Sequence, residues 1–169
     1  MIRRAIYDDA AAIARIHVGT WRTAYAGIVP DEYLASLSEE KRLKSWQQQL
    51  TDGKTVILVA EKDGEVIGWA SGGMSRDEDS PGDSELYAIY ILSQHWGGGI
   101  GRKLMEKMED SLPAAKSTTL WVLQDNHRAI QFYERMGYHP DDAQKKIQLG
   151  GKEFIELRFR KTKPANGAG

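Results

Sequence analysis

Residues 85–101, ELYAIYILSQHWGGGIG, constrain the chain more than any other stretch. Leu86, Ile89, Tyr90, Ile91 and Leu92 form a β-branched and aromatic run with little polar interruption, the pattern of a strand buried on both faces. Gly97, Gly98, Gly99 and Gly101 come at once after it, ahead of the helix-forming segment RKLMEKMEDSL. A helix start presents N–H groups without intrahelical acceptors at the positive end of the helix dipole, and glycines let an anion approach that backbone closely. The stretch therefore reads as strand, turn and helix start around a phosphate or pyrophosphate, unless the glycines are only a flexible turn.

The two common nucleotide loops do not fit. A Walker loop needs a hydroxyl after its lysine, and Leu104 follows Lys103; a GxGxxG loop begun at Gly97 needs glycine where Arg102 stands. The overall charge of −1 gives no electrostatic footprint for nucleic acid or an anionic membrane. With 41% apolar and 28% charged residues, no long apolar run and no charged-then-apolar leader, the chain reads as a soluble, cytoplasmic protein. Its length suits one domain over residues 1–161, with a disordered tail over 162–169. The absence of cysteine excludes disulfides, zinc–thiolate sites and a cysteine acyl carrier. The histidines, at 17, 95, 127 and 139, have no metal-binding spacing, so no metal is expected.

Around this centre the pattern predicts alternating elements. Ile2–Tyr7 suits a first strand and Asp8 a helix cap before AAAIARIHVGTW; a further helical stretch follows Pro30 and runs through Leu34, Leu37, Leu43, Trp46 and Leu50. Trp21 and Tyr25, one helical turn apart, are either core or one wall of a ligand pocket, and that spacing more often means core. Thr55–Glu61 and Val66–Met74 form a hairpin over Asp63 and Gly64. Residues 76–83, RDEDSPGD, look too polar and broken for structure, a charged surface turn rather than an acidic patch for a cationic substrate. Ser117–Leu123 is a strand, and a helix capped by Asp125 or Asn126 ends at Gly137; Ile147–Leu149 and Phe154–Phe159 close the chain as a hairpin.

Two segments carry a family resemblance. Residues 96–101 resemble the acetyl-CoA motif of the GNAT superfamily of N-acetyltransferases, (Gln/Arg)-x-x-Gly-x-(Gly/Ala) after a buried strand: Gly99 and Gly101 match, and Trp96 stands at the polar first position. LWVLQDNHRAIQFYERMGY, residues 120–138, resembles the superfamily's second motif, with its strand, Asn, Arg-Ala, aromatic-Tyr and terminal Gly-Tyr in order. The pattern of elements suits an α/β fold, a mixed and largely antiparallel sheet with helices on both faces. The resemblance adds that two central parallel strands splay apart and that the pantetheine arm of acetyl-CoA pairs with the backbone of the first, at Ile89 and Ile91. It puts the diphosphate on the amides of Gly97, Gly98, Gly99, Ile100 and Gly101 with Arg102 or Lys103 beside it, and Asn126 and Tyr133 near the thiol end. Period-two alternation predicts one shared face for residues 85, 87, 89 and 91.

Acyl transfer to an amine sets its own requirements. An alkylammonium of pKa ~10.4 is only about one part in 2,500 neutral at pH 7, so the nucleophile costs ~4.6 kcal/mol without a base. The departing thiolate, whose conjugate acid has pKa ~8.5, gains from a proton donor. The resemblance suggests Glu85 as base, with a solvated strand end as its equal alternative, and Tyr133 as acid rather than a packing tyrosine. The expected activity is transfer of acetyl from acetyl-CoA to a primary amine of a small molecule. A protein N-terminus or lysine as acceptor, or a non-catalytic acyl-CoA-binding module, are the alternatives, and homodimerisation is left open.

Overall fold

The computed structural model describes residues 1–164. Among them a seven-stranded sheet runs in the order β1-β2-β3-β4-β5-β7-β6, with β1 at Ile2–Arg4, β2 at Val56–Lys62, β3 at Glu65–Met74, β4 at Ser84–Ile91, β5 at Ser117–Leu123, β6 at His139–Leu149 and β7 at Lys152–Thr162. Every neighbouring pair is antiparallel except β4 and β5. Helices α1 (Ala10–Ala24), α2 (Asp31–Ser36) and α3 (Glu39–Asp52) cover one face, and α4 (Ile100–Ser111) and α5 (His127–Arg135) the other. This is the mixed α/β arrangement the pattern of elements predicts.

Each helix buries the stripe its spacing dictates. In α4, Leu104, Met105 and Met108 have no solvent exposure and pack on Leu58, Ala60, Leu86, Leu120 and Phe159 from alternate positions of four strands. In α1, Ile13 and Ile16 meet Trp46 of α3 and Ile57, Val59 and Trp69 of the opposite sheet face. Burying one such Leu or Ile is worth about 2 kcal/mol. Ser38 caps α3 by accepting from the Lys41 N–H (3.2 Å), which is why the helical pattern after Pro30 divides into α2 and α3.

Several boundaries differ from the sequence pattern for identifiable reasons. The first strand stops at Arg4, because the carboxylate of Asp9 takes the Ile6 N–H (2.8 Å) and the Arg3 guanidinium (2.8 and 3.1 Å), turning the chain into α1. Asp9, not Asp8, is the residue that flanks that helix. The last hairpin is far longer than its apolar residues suggest, eleven residues in each strand: Gln144, Lys145 and Lys146 are held by the backbone ladder to β7, while Asp141–Ala143 bulge out of register and Asp141 accepts from Arg158 and Arg160. Strand β7 also takes in Thr162, and Lys163 N–H bonds to Lys116 O; residues 165–169, the rest of the stretch expected as a tail, lie outside the described residues.

Residues 76–83 are not a loose polar turn. Arg158 reaches Asp79 (2.7 and 2.9 Å), Asp77 (3.4 Å) and Asp141 (2.6 Å), and Arg160 reaches Asp83 (2.6 Å), so β7 ties the segment to the sheet. The Arg158 side chain is only 7% exposed, and a buried guanidinium requires such partners.

Strand β4 breaks its own alternation. Ser71 of β3 pairs with Ala88 and Gly72 with Leu86, so Tyr87 is an extra residue, a β-bulge. The bulge resets the pattern: Leu86, Ile89 and Ile91 face α4, while Ala88 and Tyr90 face α1, in place of a common face for residues 85, 87, 89 and 91. A Cβ at Gly72 would lie 2.6 Å from Glu85 O and 2.8 Å from Leu112 Cδ2, so only glycine fits opposite the bulge.

His17 of α1 lies among Trp46, Trp69 and Tyr90, with ring centroids 5.5–6.1 Å away, and its Nδ1 accepts from Trp46 Nε1 (3.4 Å). Burial, with a smaller push from the Arg42 charge, lowers its pKa to about 4. The unfolded chain then binds a proton near pH 6.5 that the folded chain refuses until about pH 4. Stability should be full above pH 6.5 and fall on acidification through that window, by on the order of 3 kcal/mol. Calorimetric melting at pH 7 and pH 5 checks this, with His17→Phe expected to flatten the dependence.

Candidate active site

Strands β4 and β5 pair only over Ser84–Leu86 with Thr118–Leu120, although both run on to Ile91 and Leu123. Past Leu86 the β5-facing edge of β4 has no strand partner among the described residues. A cavity of about 890 Å³ occupies this parting and opens on both sheet faces. On the side of α4 and α5 it is lined by Gly97, Gly99, Gly101, Arg102, Arg128 and Phe132; on the side of α1, by Trp21, Tyr25, Tyr90, Trp121 and Glu156.

The glycine turn is shaped for close approach to its backbone. Gly97 (φ 81°) and Gly99 (φ 83°) take the left-handed conformation, and a Cβ on either would stand in open space with no protein atom within 4 Å. Gly101 has a different reason: a Cβ there would lie 3.2 Å from Phe132 Cε1, so glycine lets α4 approach α5. The first helical bond runs from Lys103 N–H to Gly99 O (3.2 Å), which leaves the N–H groups before it without intrahelical acceptors. Arg102, Arg128 and Arg135 all line the cavity, whereas Lys103 does not.

Trp96 has a definite part in this turn. Its indole N–H donates to Ile91 O (2.8 Å), fastening the turn to the end of β4. The Arg128 guanidinium stacks on its ring at 3.7 Å from the centroid. An amide edge, a positive helix start and three arginines fit a diphosphate and an extended amide-bearing arm, which is what coenzyme A presents.

Asn126 and Tyr133 both line the cavity where the strands part. The Asn126 side chain caps α5 through the Ala129 N–H (3.2 Å) and donates to Tyr25 Oη (3.3 Å). Tyr133 is 8% exposed, its ring stacks edge-on with Phe132 and Tyr138, and its hydroxyl has no hydrogen-bond partner among the described residues. Burial, reinforced by Tyr25, raises the phenol well above its ordinary value. It stays protonated near neutral pH and so has a proton to donate. Trp21 and Tyr25 are both core and wall: Tyr25 is 7% exposed in an apolar cluster, yet both rings line the cavity, with Trp21 Nε1 donating to Tyr90 Oη (3.0 Å).

Glu85 stands apart from these groups. It is 1% exposed and outside the cavity lining; Oε1 accepts from the Arg76 N–H (2.9 Å) and Oε2 from the Arg76 guanidinium (2.7 Å). Arg128 and Trp121 fall inside the second motif, as its Arg-Ala arginine and a strand residue, but the motif assigns neither a place at the cavity, and Glu156 lies in no motif of the sequence. Only the alternation Phe154, Glu156, Arg158 along the last strand signals that Glu156 shares the Phe154 face. Among the described residues no helix is long and apolar enough to cross a membrane, and no group of three or more His, Asp or Glu could hold a metal ion.

The acetyltransferase (GNAT) family pattern matches residues 14–138. The uncharacterized N-acetyltransferase YuaI of Bacillus subtilis is 34% identical over 159 residues, 92% of this chain and 89% of that one. The L-amino acid N-acyltransferase MnaT of Escherichia coli is 30% identical over 94% of this chain and 90% of its own. Among solved structures, the PaiA N-acetyltransferase of Thermoplasma acidophilum in complex with coenzyme A shares the fold, with a TM-score of 0.72 at 22% identity, covering 96% of this chain and 98% of that one.

The Glu85 pair yields a stability test. Arg76→Ala should cost about 2–3 kcal/mol in urea unfolding, because a buried carboxylate keeps only one backbone donor. Glu85→Gln, which leaves a solvent-accessible guanidinium instead, should cost less.

Proposed function

Because the chain belongs to the acetyltransferase (GNAT) family and is an acetyl-CoA-dependent N-acetyltransferase, we propose that it acetylates a primary amine of a small molecule by direct attack. The observation that carries this reading is the cavity through the sheet: a glycine turn and three arginines on one face, and a pocket walled by Trp21, Tyr25, Tyr90 and Trp121 on the other. Such a concave, aromatic-walled pocket suits a small amine better than a folded protein surface.

The amides of Gly97, Gly98, Gly99, Ile100 and Gly101, with Arg102 and Arg128, would hold the diphosphate, and the unpaired edge of β4 at Ile89 and Ile91 the pantetheine arm. Acetyl-CoA supplies a thioester carbonyl for the amine to attack. Tyr133 is the acid for the leaving sulfur: a side chain that lines the cavity, with a hydroxyl that has no partner among the described residues, supports this. Asn126 positions Tyr25 beside it. The lone pairs of Glu85 face Arg76 rather than the cavity, which supports a structural role, with the amine proton passing to solvent. Without cysteine in the chain, no protein thiol carries the acetyl group.

Tyr133→Phe keeps the packing area and deletes one oxygen, so kcat should fall roughly 10²-fold or more with melting temperature and acetyl-CoA affinity little changed. A kcat within about threefold of the parent would exclude the acid role. Gly99→Val should weaken acetyl-CoA binding at least about tenfold in calorimetry, since a branched side chain strains a φ of 83° and projects into the open space before the turn. Glu85→Gln should leave the shape of the pH–rate profile unchanged; loss of activity confined to low pH would restore Glu85 as base.

A further inference from the structure

The charges lining the cavity are segregated. Its arginines lie on α4 and α5, and its one carboxylate among the described residues is Glu156, on the α1 side. No Lys or Arg among the described residues lines that side. The other carboxylates close by have partners: Glu85 faces Arg76, Asp77 accepts from Trp121 Nε1 (3.0 Å), Asp79 and Asp141 hold Arg158, and Asp83 holds Arg160. Glu156 meets Lys145, whose Nζ is 3.7 Å from Oε1. The same ammonium sits 4.2 Å from the centroid of Trp121. The ion pair is long for a charge-assisted hydrogen bond, and the Lys145 side chain is 46% exposed.

A lysine of the chain thus lies between a carboxylate and an aromatic face, the two features that together recognise an alkylammonium. Trp121 is fixed for the purpose by its indole bond to Asp77. Burial raises the Glu156 carboxyl, and Lys145 draws it back down, so a cation in the subsite stabilises the ionised form. A group bound there as a cation cannot be the nucleophile, which must be neutral to attack. The subsite would therefore recognise a second charge on the acceptor.

We propose that Trp121 and Glu156 form an ammonium subsite for the acceptor, that Lys145 fills it when no acceptor is bound, and that the acceptor is a linear diamine-type cation. This rests on the small-molecule reading above and names its substrate class.

The test compares tetramethylenediamine with n-butylamine, binding each to the full chain saturated with coenzyme A and reading tryptophan fluorescence and calorimetry, without turnover. The diamine should bind about tenfold tighter than the monoamine, the scale of one partly buried charge pair. Glu156→Gln should abolish most of that preference. Lys145→Ala should tighten the diamine severalfold by removing the occupant, opposite in sign to any general loss of structure. Equal binding of the two amines by the parent would overturn the proposal, as would Lys145→Ala weakening the diamine. An α-amino acid bound tighter than either amine, and weakened by Lys145→Ala, would overturn it in favour of Lys145 as a carboxylate partner. Because binding is read without acetyl transfer, failure of the subsite and failure of the small-molecule reading are separable: a chain that binds the diamine in this pattern but acetylates no small amine retains the first and loses the second.

Discussion

The parting of β4 from β5 is the constraint on which the rest depends. Three residues of parallel ladder join the two halves of the sheet, and beyond Leu86 and Leu120 the strands separate. Unpaired backbone inside a protein is costly unless a ligand or solvent satisfies it, so the gap in the middle of this sheet has to stay open to one or the other. The bulge at Tyr87 sharpens the twist where the parting begins, and Gly72 alone gives it room. The same bulge turns Leu86, Ile89 and Ile91 toward α4, which covers the sheet on one side of the gap, while Tyr90 turns toward α1 and joins the aromatic wall on the other.

Much of this architecture is legible in the sequence because the relevant residues obey local rules. The apolar run before Gly97 suits only a buried strand, and Leu104, Met105 and Met108 share one helix face, so the order of elements around the cleft comes directly from spacing. Tyr133 and Asn126 are visible through the helix between an Asn cap and Gly137. What stays hidden depends on distant pairing. The bulge that breaks the alternation at Tyr87 leaves no signature in its own strand, only a glycine in the neighbouring one. The ordering of residues 76–83 comes from Arg158 and Arg160, some 80 positions away, so a segment that is purely polar in isolation becomes a fixed rim. Glu156 and Trp121 are ordinary positions of alternating strands until the cavity brings them together.

The ion pairs around the cleft divide the labour between holding and binding. Arg158 is nearly buried and Asp77, Asp79 and Asp141 surround it; such a cluster fixes geometry more than it adds stability, since each charge gives up water on the way in. The Arg76–Glu85 pair does the same where β4 meets β5, with a carboxylate at 1% exposure inside the parallel ladder. Because these acids are matched by arginines within the fold, they contribute little net field to the cavity.

Trp96 shows how a departure from a motif can preserve its purpose. A polar side chain at that position could contact either the backbone of the turn or an anion, but an indole has one donor and an apolar face. The donor closes onto Ile91 O and the face carries the Arg128 guanidinium, so the two tasks are split between a tryptophan on the turn and an arginine on α5. The consequence is a coupling between elements. The positive charge over the glycine turn belongs to the same helix that carries Tyr133, and Gly101 lets that helix sit against α4 through Phe132. An anion seated on the turn would therefore meet a guanidinium carried by the helix that holds Tyr133.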